Sequence, residues 1–371
     1  MFLPCLLIVL LRPIITIRFG YFRAYIIGHL ALDPSIYYNQ NKSKFDFFYF
    51  RGDPCNKFMI KKLKKVFNIY HIFKYFYLFF YYFNFNKKLH LIYHNNGSRD
   101  FNNVIKKSNI FEFTGNENDL GKLFLKKIFS EPEKKLVCLL IRDKAYKDNM
   151  TNHNNDYHDY RNSDPNSYIP LIDYLIKNNF NVIRMGNIAS TKISYRNKNF
   201  YDYPFSEFKN DFYDIWLMSN CFFVISNGSG LDEVSKIFQV PRLYLNKTPL
   251  VDIVSTGVCM TAPKKLFNKL TNKFLNIYDQ LNNSSFNSKF YKDNNIELLD
   301  LTSNEMTEVL MEFISFITLN SSTYDTSNQM LFWDIIKNND KLNIYHNKID
   351  SKAMISEQYL NQNKYFLGTS L

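Results

Sequence analysis

The stretch Phe222-Phe223-Val224-Ile225-Ser226-Asn227-Gly228-Ser229-Gly230-Leu231-Asp232-Glu233-Val234, continuing to Asn246, decides the fold. Phe222 to Ile225 is an unbroken apolar run, the signature of a strand covered on both faces. Ser226 to Gly230 supplies small hydroxyls and two residues without a Cβ. Apolar residues at 231, 234, 237 and 238 then follow a helical spacing, and after Pro241 the run Arg242–Leu245 reads as another strand. Strand, turn, helix and strand in this order form a unit of a parallel sheet. The turn opens a helix, where backbone N–H groups favour an anion.

The same alternation extends outward. Leu136–Ile141 and Asn181–Met185 read as buried strands ending in Arg142-Asp143 and Arg184-Met185-Gly186. Ser167 is placed to cap a helix to about Asn178, with Pro170 in its first turn. Residues 208–219 and 304–319 read as helices, Phe200–Tyr203 as a short edge strand, and Ala262–Leu266 as a turn. Leu331–Ile336 and Glu357–Phe366 read as terminal helices. In the first half, Ile14–Ile17 reads as a buried first strand, because Arg12 and Pro13 interrupt the apolar N-terminus and no signal-peptide pattern is present. Phe45–Phe50 and Leu89–Tyr93 read as strands. Arg51-Gly52-Asp53-Pro54 and His94-Asn95-Asn96-Gly97 read as turns, and residues 56–67 as a lysine-rich helix. Glu117–Phe129 reads as a helix with Leu120, Leu123, Phe124 and Ile128 on one side. The aromatic run 69–85 is either a core helix or a surface dipping into a membrane interface, with core favoured.

A chain of 371 residues calls for two domains. The polar, proline-bearing segment 130–135 places the boundary at residue 131. Residues 1–131 then form one Rossmann-like domain and 132–340 a second, while 341–371 form a helical tail that could return to the first. Both halves alternate strand and helix, so two α/β domains with a cleft between them are expected. Ligands of parallel sheets bind beyond the carboxyl ends of the strands. Arg142, Arg184 and the 226–230 turn are expected there together.

The hydrophobic fraction of 46% excludes a largely disordered chain. The net charge of +12 accompanies abundant Lys, Asn, Phe, Tyr and Ile, which reads in part as compositional bias, and no nucleic-acid-binding fingerprint is present. Five scattered cysteines without a CxxC pair imply neither a disulfide framework nor a zinc site, and fit a cytoplasmic location.

Several strings together resemble an uncharacterised bacterial glycosyltransferase family of the GT-B type, associated with surface-polysaccharide biosynthesis. They are Val137–Tyr146, Tyr160-Arg161-Asn162-Ser163-Asp164, Val182–Gly186, Asp211-Phe212-Tyr213-Asp214 and the 226–230 turn. Ile27-Gly28-His29-Leu30-Ala31 and Pro263-Lys264-Lys265-Leu266 add to the set. The resemblance implies two Rossmann-like domains, a nucleotide-sugar donor on the second, a glycan or lipid-linked acceptor on the first, and no obligatory metal or other cofactor.

On this reading Ser226, Asn227, Gly228, Ser229 and Gly230 hold the donor diphosphate, with Arg142 and Arg184 offering guanidinium forks. The competing reading makes the turn an ordinary helix cap and the arginines surface ion pairs. Gly28 and Arg161 are expected near the acceptor and cleft. His29 or Asp33 is the candidate general base, with Asp53 as the fallback. His153, Asp156, His158 and Asp159 fit no zinc spacing, and no Asp-x-Asp motif occurs. The basic and aromatic segment 57–85 suits an enzyme peripheral to an anionic membrane face. A nucleotide-sugar epimerase on the same scaffold and a non-catalytic membrane-peripheral protein are the alternatives.

Overall fold

A computed structural model describes residues 2–40, 43–83, 87–93, 109–143, 155–319, 326–340, 342, 346 and 349–368. The expected turn at 94–97 and His153 lie outside the described residues, as does most of the Asn-rich loop after Asp143. The chain divides into two units, Met1–Thr114 and Gly115–Leu371.

The first unit runs α1 (Phe2–Leu11), β1 (Arg18–Arg23), α2 (Ile27–Gln40), β2 (Asp46–Arg51), α3 (Lys57–Val66), β3 (Asn68–Ile69), α4 (Phe73–Tyr82) and α5 (Lys87–His90). The three strands are parallel in the order β1-β2-β3, with Arg18 opposite Asp46 and Arg23 opposite Arg51. A parallel bridge from Phe19 to Leu91 adds a position on the other side of β1. Strand order therefore reverses beside β1, as in doubly wound sheets.

Alternation along β1 and β2 sorts the aromatic side chains between the two faces. Phe19, Tyr21, Phe47 and Tyr49 meet α4, with Phe19 stacked 5.1 Å from Phe76 and Tyr21 edge-on 5.4 Å from Tyr77. Phe22 and Phe48 stack at 4.5 Å on the other face, with Phe67 and Tyr37 beside them. Ring pairs of this kind add about 0.5–1.5 kcal/mol each beyond their burial. The run 69–85 is thus half core and half surface. Tyr77, Phe79 and Phe80 are buried, whereas Tyr75, Tyr81, Tyr82 and Phe83 are exposed.

Two expectations for this unit fail. The N-terminus is a helix, α1, and the first strand begins at Arg18 rather than Ile14. Ile8 and Val9 pack against the α4 core, Cys5 is buried in it, and the other large side chains of α1 face outward. Leu89–Tyr93 contributes one bridge residue, because α5 occupies the segment before it.

The second unit runs α6 (Gly115–Ile128), β4 (Lys135–Leu140), α7 (Ile169–Lys177), β5 (Phe180–Met185), β6 (Phe200–Asp202), α8 (Asp211–Asn220), β7 (Phe223–Ser226), α9 (Asp232–Ile237), β8 (Arg242–Lys247) and β9 (Cys259–Pro263). It continues with β10 (Lys265–Asn268), β11 (Lys273–Phe274), α10 (Ile277–Asn282), α11 (Ser288–Asp293), β12 (Ile296–Leu299), α12 (Ser303–Leu319), α13 (Ser327–Lys337), β13 (Ala353–Ile355) and α14 (Glu357–Gln362). Seven parallel strands form one sheet in the order β13-β9-β8-β7-β4-β5-β6. Counted from β4 this is the 3-2-1-4-5-6 order of the dinucleotide-binding fold, extended by β13. The fold is Rossmann-like, and its topological switch lies between β4 and β7.

Four expectations are corrected here. Ala262–Leu266 is not a turn but the junction of β9 with β10, which pairs antiparallel with β11 and β12 in a separate small sheet. Ser167 does not cap α7; the cap of the preceding 3-10 turn is Asp164, whose carboxylate accepts from Asn166 N–H. The tail 341–371 joins the second unit, since β13 pairs with β9 and Phe366 and Leu367 enter its core. The units also meet at Thr114/Gly115 instead of residue 131, because α6 docks on α8.

A Cβ on Gly121 would stand 2.1 Å from the Trp216 ring, and Trp216 Nε1–H donates to Asn118 at 3.1 Å. The face of α6 that docks carries Gly121 and Phe124, while Leu120 and Leu123 are exposed. Gly121→Ala is expected to overpack this contact and destabilise the second unit by about 1–3 kcal/mol, read as a lower urea midpoint with an unchanged slope.

Candidate functional site

The carboxyl ends of β4 and β7 meet at one buried side chain. Asn227 accepts from the backbone N–H of Arg142 at 3.0 Å and donates through Nδ2 to the carbonyl of Arg161, also at 3.0 Å. Its own N–H reaches Leu140 O at 3.3 Å. Asn227 is completely buried, so these bonds satisfy groups that the sheet ladder leaves over at its reversal. Arg142 and Arg161 are brought together there. Arg142 Nε–H donates to Asn162 Oδ1 at 3.3 Å.

Both guanidinium groups lie close enough to His158 to hold its pKa down. Burial is the first cause and their positive charge the second, and together they lower it to about 4. Tyr160 feels the same two charges, but burial dominates and pushes its hydroxyl up to about 12.

The 226–230 turn does not present itself as a phosphate cradle. Gly228 N–H donates to Ser226 Oγ at 3.0 Å, Ser229 N–H to Asp232 Oδ2 at 3.1 Å, and Ser226 Oγ–H to the same carboxylate oxygen at 2.8 Å. The turn's polar groups close on one another, and no side chain of the turn caps α9. Gly228 has φ +95°, and a Cβ there would stand 3.0 Å from Lys247 Nζ. The glycine leaves room for the lysine ammonium, which pairs with Asp252 at 2.8 Å. Ser229 and Gly230 are partly exposed at the mouth of this turn.

Arg184 is not at the edge of a cleft. Its side chain is 1% exposed and its guanidinium lies between Asp143, 3.0 Å away, and Asp202, 3.5 Å away, while Nη1–H donates to Thr191 O at 2.6 Å. Asp143 also accepts from the N–H groups of Ser190 and Thr191. The strand-end arginine therefore pins the loop after β5, and a buried charge so engaged has no face left for a diphosphate.

Beside the switch point a cavity of about 800 Å³ opens between the carboxyl ends of the large sheet and the small antiparallel sheet. Asp143, Asn162, Ser163, Thr191, Lys264 and Asp300 are among the residues that line it. Lys264 is nearly inaccessible; its Nζ lies 2.5 Å from Asp300 Oδ1 and 2.7 Å from the carbonyl of Asn162. Burial lowers its pKa, against the pull of Asp300. Lys247, Lys264 and Asp300 were not singled out by sequence reasoning. For Lys264 the signal was the Pro263-Lys264-Lys265-Leu266 string, read as a turn and as part of the resemblance but without a role for the lysine.

In the first unit, Asp33 sits one helical turn after His29 on α2. Arg23 Nε–H donates to Asp33 at 3.1 Å, and His29 Nδ1 lies 3.4 Å from the other carboxylate oxygen. Asp33 is thereby paired with both Arg23 and His29. Gly28 is buried in the first turn of α2, not in an open loop. Asp53 stands exposed after Gly52, whose φ of +80° sets the turn. His29, Asp33 and Arg23 form one cluster at the carboxyl end of β1.

Among the described residues, no group of three or more His, Cys, Asp or Glu is placed to hold a metal ion. No protein-family model, curated protein or solved structure matches the chain. The class defined by fold and site is an α/β protein with a Rossmann-like parallel sheet and a cavity at the carboxyl ends of its strands.

Two measurements test this geometry. Arg184→Ala strands two buried carboxylates and is expected to cost about 3–5 kcal/mol of stability by urea unfolding, whereas Arg142→Ala should cost far less. His158, with a folded pKa near 4 against an ordinary 6.5, binds fewer protons folded than unfolded between those values. Its contribution is intact above pH 6.5 and is lost as pH falls toward 4. Arg142→Ala and Arg161→Ala should each raise the His158 titration midpoint followed by NMR.

Proposed function

We propose that the protein is a glycosyltransferase that moves a sugar from a nucleotide-sugar donor to a glycan or lipid-linked acceptor in surface-polysaccharide synthesis. The observation that carries this reading is that Asn227 ties the Arg142 and Arg161 segments together at the switch of a 3-2-1-4-5-6 sheet, with both positive charges felt by His158 and a cavity lined by the neighbouring Asp143 and Asn162. Ligands of such sheets lie in this place. Guanidinium groups match a diphosphate, and a volume of about 800 Å³ falls within the usual range of small-molecule sites.

In this reading the donor's diphosphate binds Arg142 and Arg161, and its nucleoside fills the cavity toward Tyr160 and Lys264. The candidate base is His29, which would take the proton of the acceptor hydroxyl on Nε2 while Asp33 faces Nδ1. The acceptor oxygen bonds to the anomeric carbon as the bond from that carbon to the diphosphate oxygen breaks, with inversion. The nucleoside diphosphate leaves with its charge met by the two arginines.

Thermal melting with UDP, GDP, CDP and ADP is the direct test. At least one should raise the melting temperature, and Arg142→Ala with Arg161→Ala should abolish the rise. A folded sample that responds to none of the four would defeat the reading. His29→Ala should keep the nucleotide-induced rise and lower turnover by about 10²–10⁴-fold.

A further inference from the structure

We propose that the first unit docks on an anionic lipid bilayer through the outward face of α1 and the adjoining end of α4. The inference rests on this unit alone and is independent of the enzymatic reading.

The charge distribution is the first observation. Residues 1–114 carry 17 Lys and Arg against 5 Asp and Glu, while residues 115–371 carry 29 of each sign. The whole formal charge of +12 therefore belongs to the first unit. Compositional bias does not account for it, because a bias acting on the whole chain would charge the second unit as well. An excess concentrated in this way attracts an anionic surface over a Debye length, about 10 Å at 0.1 M salt.

The second observation is an apolar surface in the same unit. On α1, Phe2, Leu3 and Leu10 are 60, 67 and 66% exposed, and Leu6, Leu7 and Leu11 are exposed beside them. Cys5, Ile8 and Val9 face the α4 core, so the helix is seated on the protein along one narrow side. Phe2 meets Phe79 edge-on at 6.0 Å, and Phe79 stacks on Phe83 at 4.8 Å, which carries the apolar surface on to exposed Tyr82 and Phe83. Exposed apolar surface collected in one place marks an interaction site. The aliphatic side chains suit acyl chains, and the tyrosines suit the headgroup level.

Arg12, just past α1, and Lys74 on α4 are exposed and supply local cations. The lysines of α3 do not belong to this surface. α3 leads into Phe67, which packs on the Phe22–Phe48 face of the sheet, opposite the face that α4 covers. The docking surface is therefore α1 with α4, not residues 57–85 as a continuous segment.

Charge also decides the occupant. A second copy would bring together two units that each carry a net charge of +12, and a nucleic acid would leave the leucines against water. An anionic bilayer satisfies both features at once. The ten residues of α1 span about 15 Å, half the hydrocarbon thickness of about 30 Å. Among the described residues no helix is long and apolar enough to cross a membrane. The geometry is that of a helix lying in the interface plane.

Co-sedimentation of the full chain with vesicles tests the proposal. Vesicles of phosphatidylcholine mixed with phosphatidylglycerol should pellet the protein, and pure phosphatidylcholine should pellet little. High salt should weaken the binding. The variant Leu3→Glu/Leu7→Glu/Leu10→Glu changes only exposed side chains, and it should lower the bound fraction about tenfold or more while melting like the wild type. Arg12→Glu with Lys74→Glu, which leaves the apolar face untouched, should weaken binding to mixed vesicles alone. Wild-type protein that stays in the supernatant with mixed vesicles overturns the proposal. So does equal pelleting on both lipids, or a triple-glutamate variant that pellets like the wild type. A wild-type dimer that the triple variant dissociates, without vesicle binding, would assign the face to a second copy instead.

Discussion

The second unit depends on how a parallel sheet manages its reversal of strand order. At the boundary between β4 and β7 the chain leaves in opposite directions on the two sides, and backbone groups there lose their ladder partners. The buried amide of Asn227 supplies them. It accepts from one strand end and donates to the carbonyl of Arg161, and so holds two arginine-bearing segments at a fixed separation. A carboxylate could accept but not donate, and an aliphatic side chain could do neither. The positive charges of those segments then add to burial in lowering the His158 pKa.

Two arginines near the ends of neighbouring strands meet different fates, and burial is the reason. Arg142 follows β4 at the switch, where the crevice opens and its guanidinium is only partly covered. Arg184 lies within β5, one strand further out, where the loop after the strand folds back over it. Once enclosed, its charge has to be matched, and Asp143 and Asp202 do so. An arginine at the end of an apolar strand is thus equally suited to holding a ligand or a loop. Which of the two it does depends on whether the following loop covers it.

The first unit separates its chemistry by strand alternation. Side chains two residues apart share a face, so a continuous aromatic sequence becomes two distinct packed layers. α4 covers one of these layers, and Phe67, at the end of the basic helix, packs in the other. The polar cluster Arg23–Asp33–His29 stands at the carboxyl end of β1, where a parallel sheet leaves space for function.

The sequence by itself determined the elements whose pattern is local and strong. Phe222–Ile225, Leu136–Ile141 and Asn181–Met185 were legible as buried strands, because continuous apolar runs bounded by turn residues have few other solutions. The parallel alternation of the second half followed from them, and so did the expectation that Arg142 and the 226–230 turn would share one end of the sheet. Only the tertiary structure decided what the local pattern leaves open. Ser226 was present in the sequence as a possible phosphate neighbour, yet its hydroxyl turns inward because it finds Asp232 six residues on. Lys264 looked like a turn lysine, and its burial depends on Asp300, far along the chain. α1 was misread because an apolar run interrupted by Arg12 and Pro13 is compatible with strand or helix. The choice was made by packing against α4, a contact between segments some 70 residues apart.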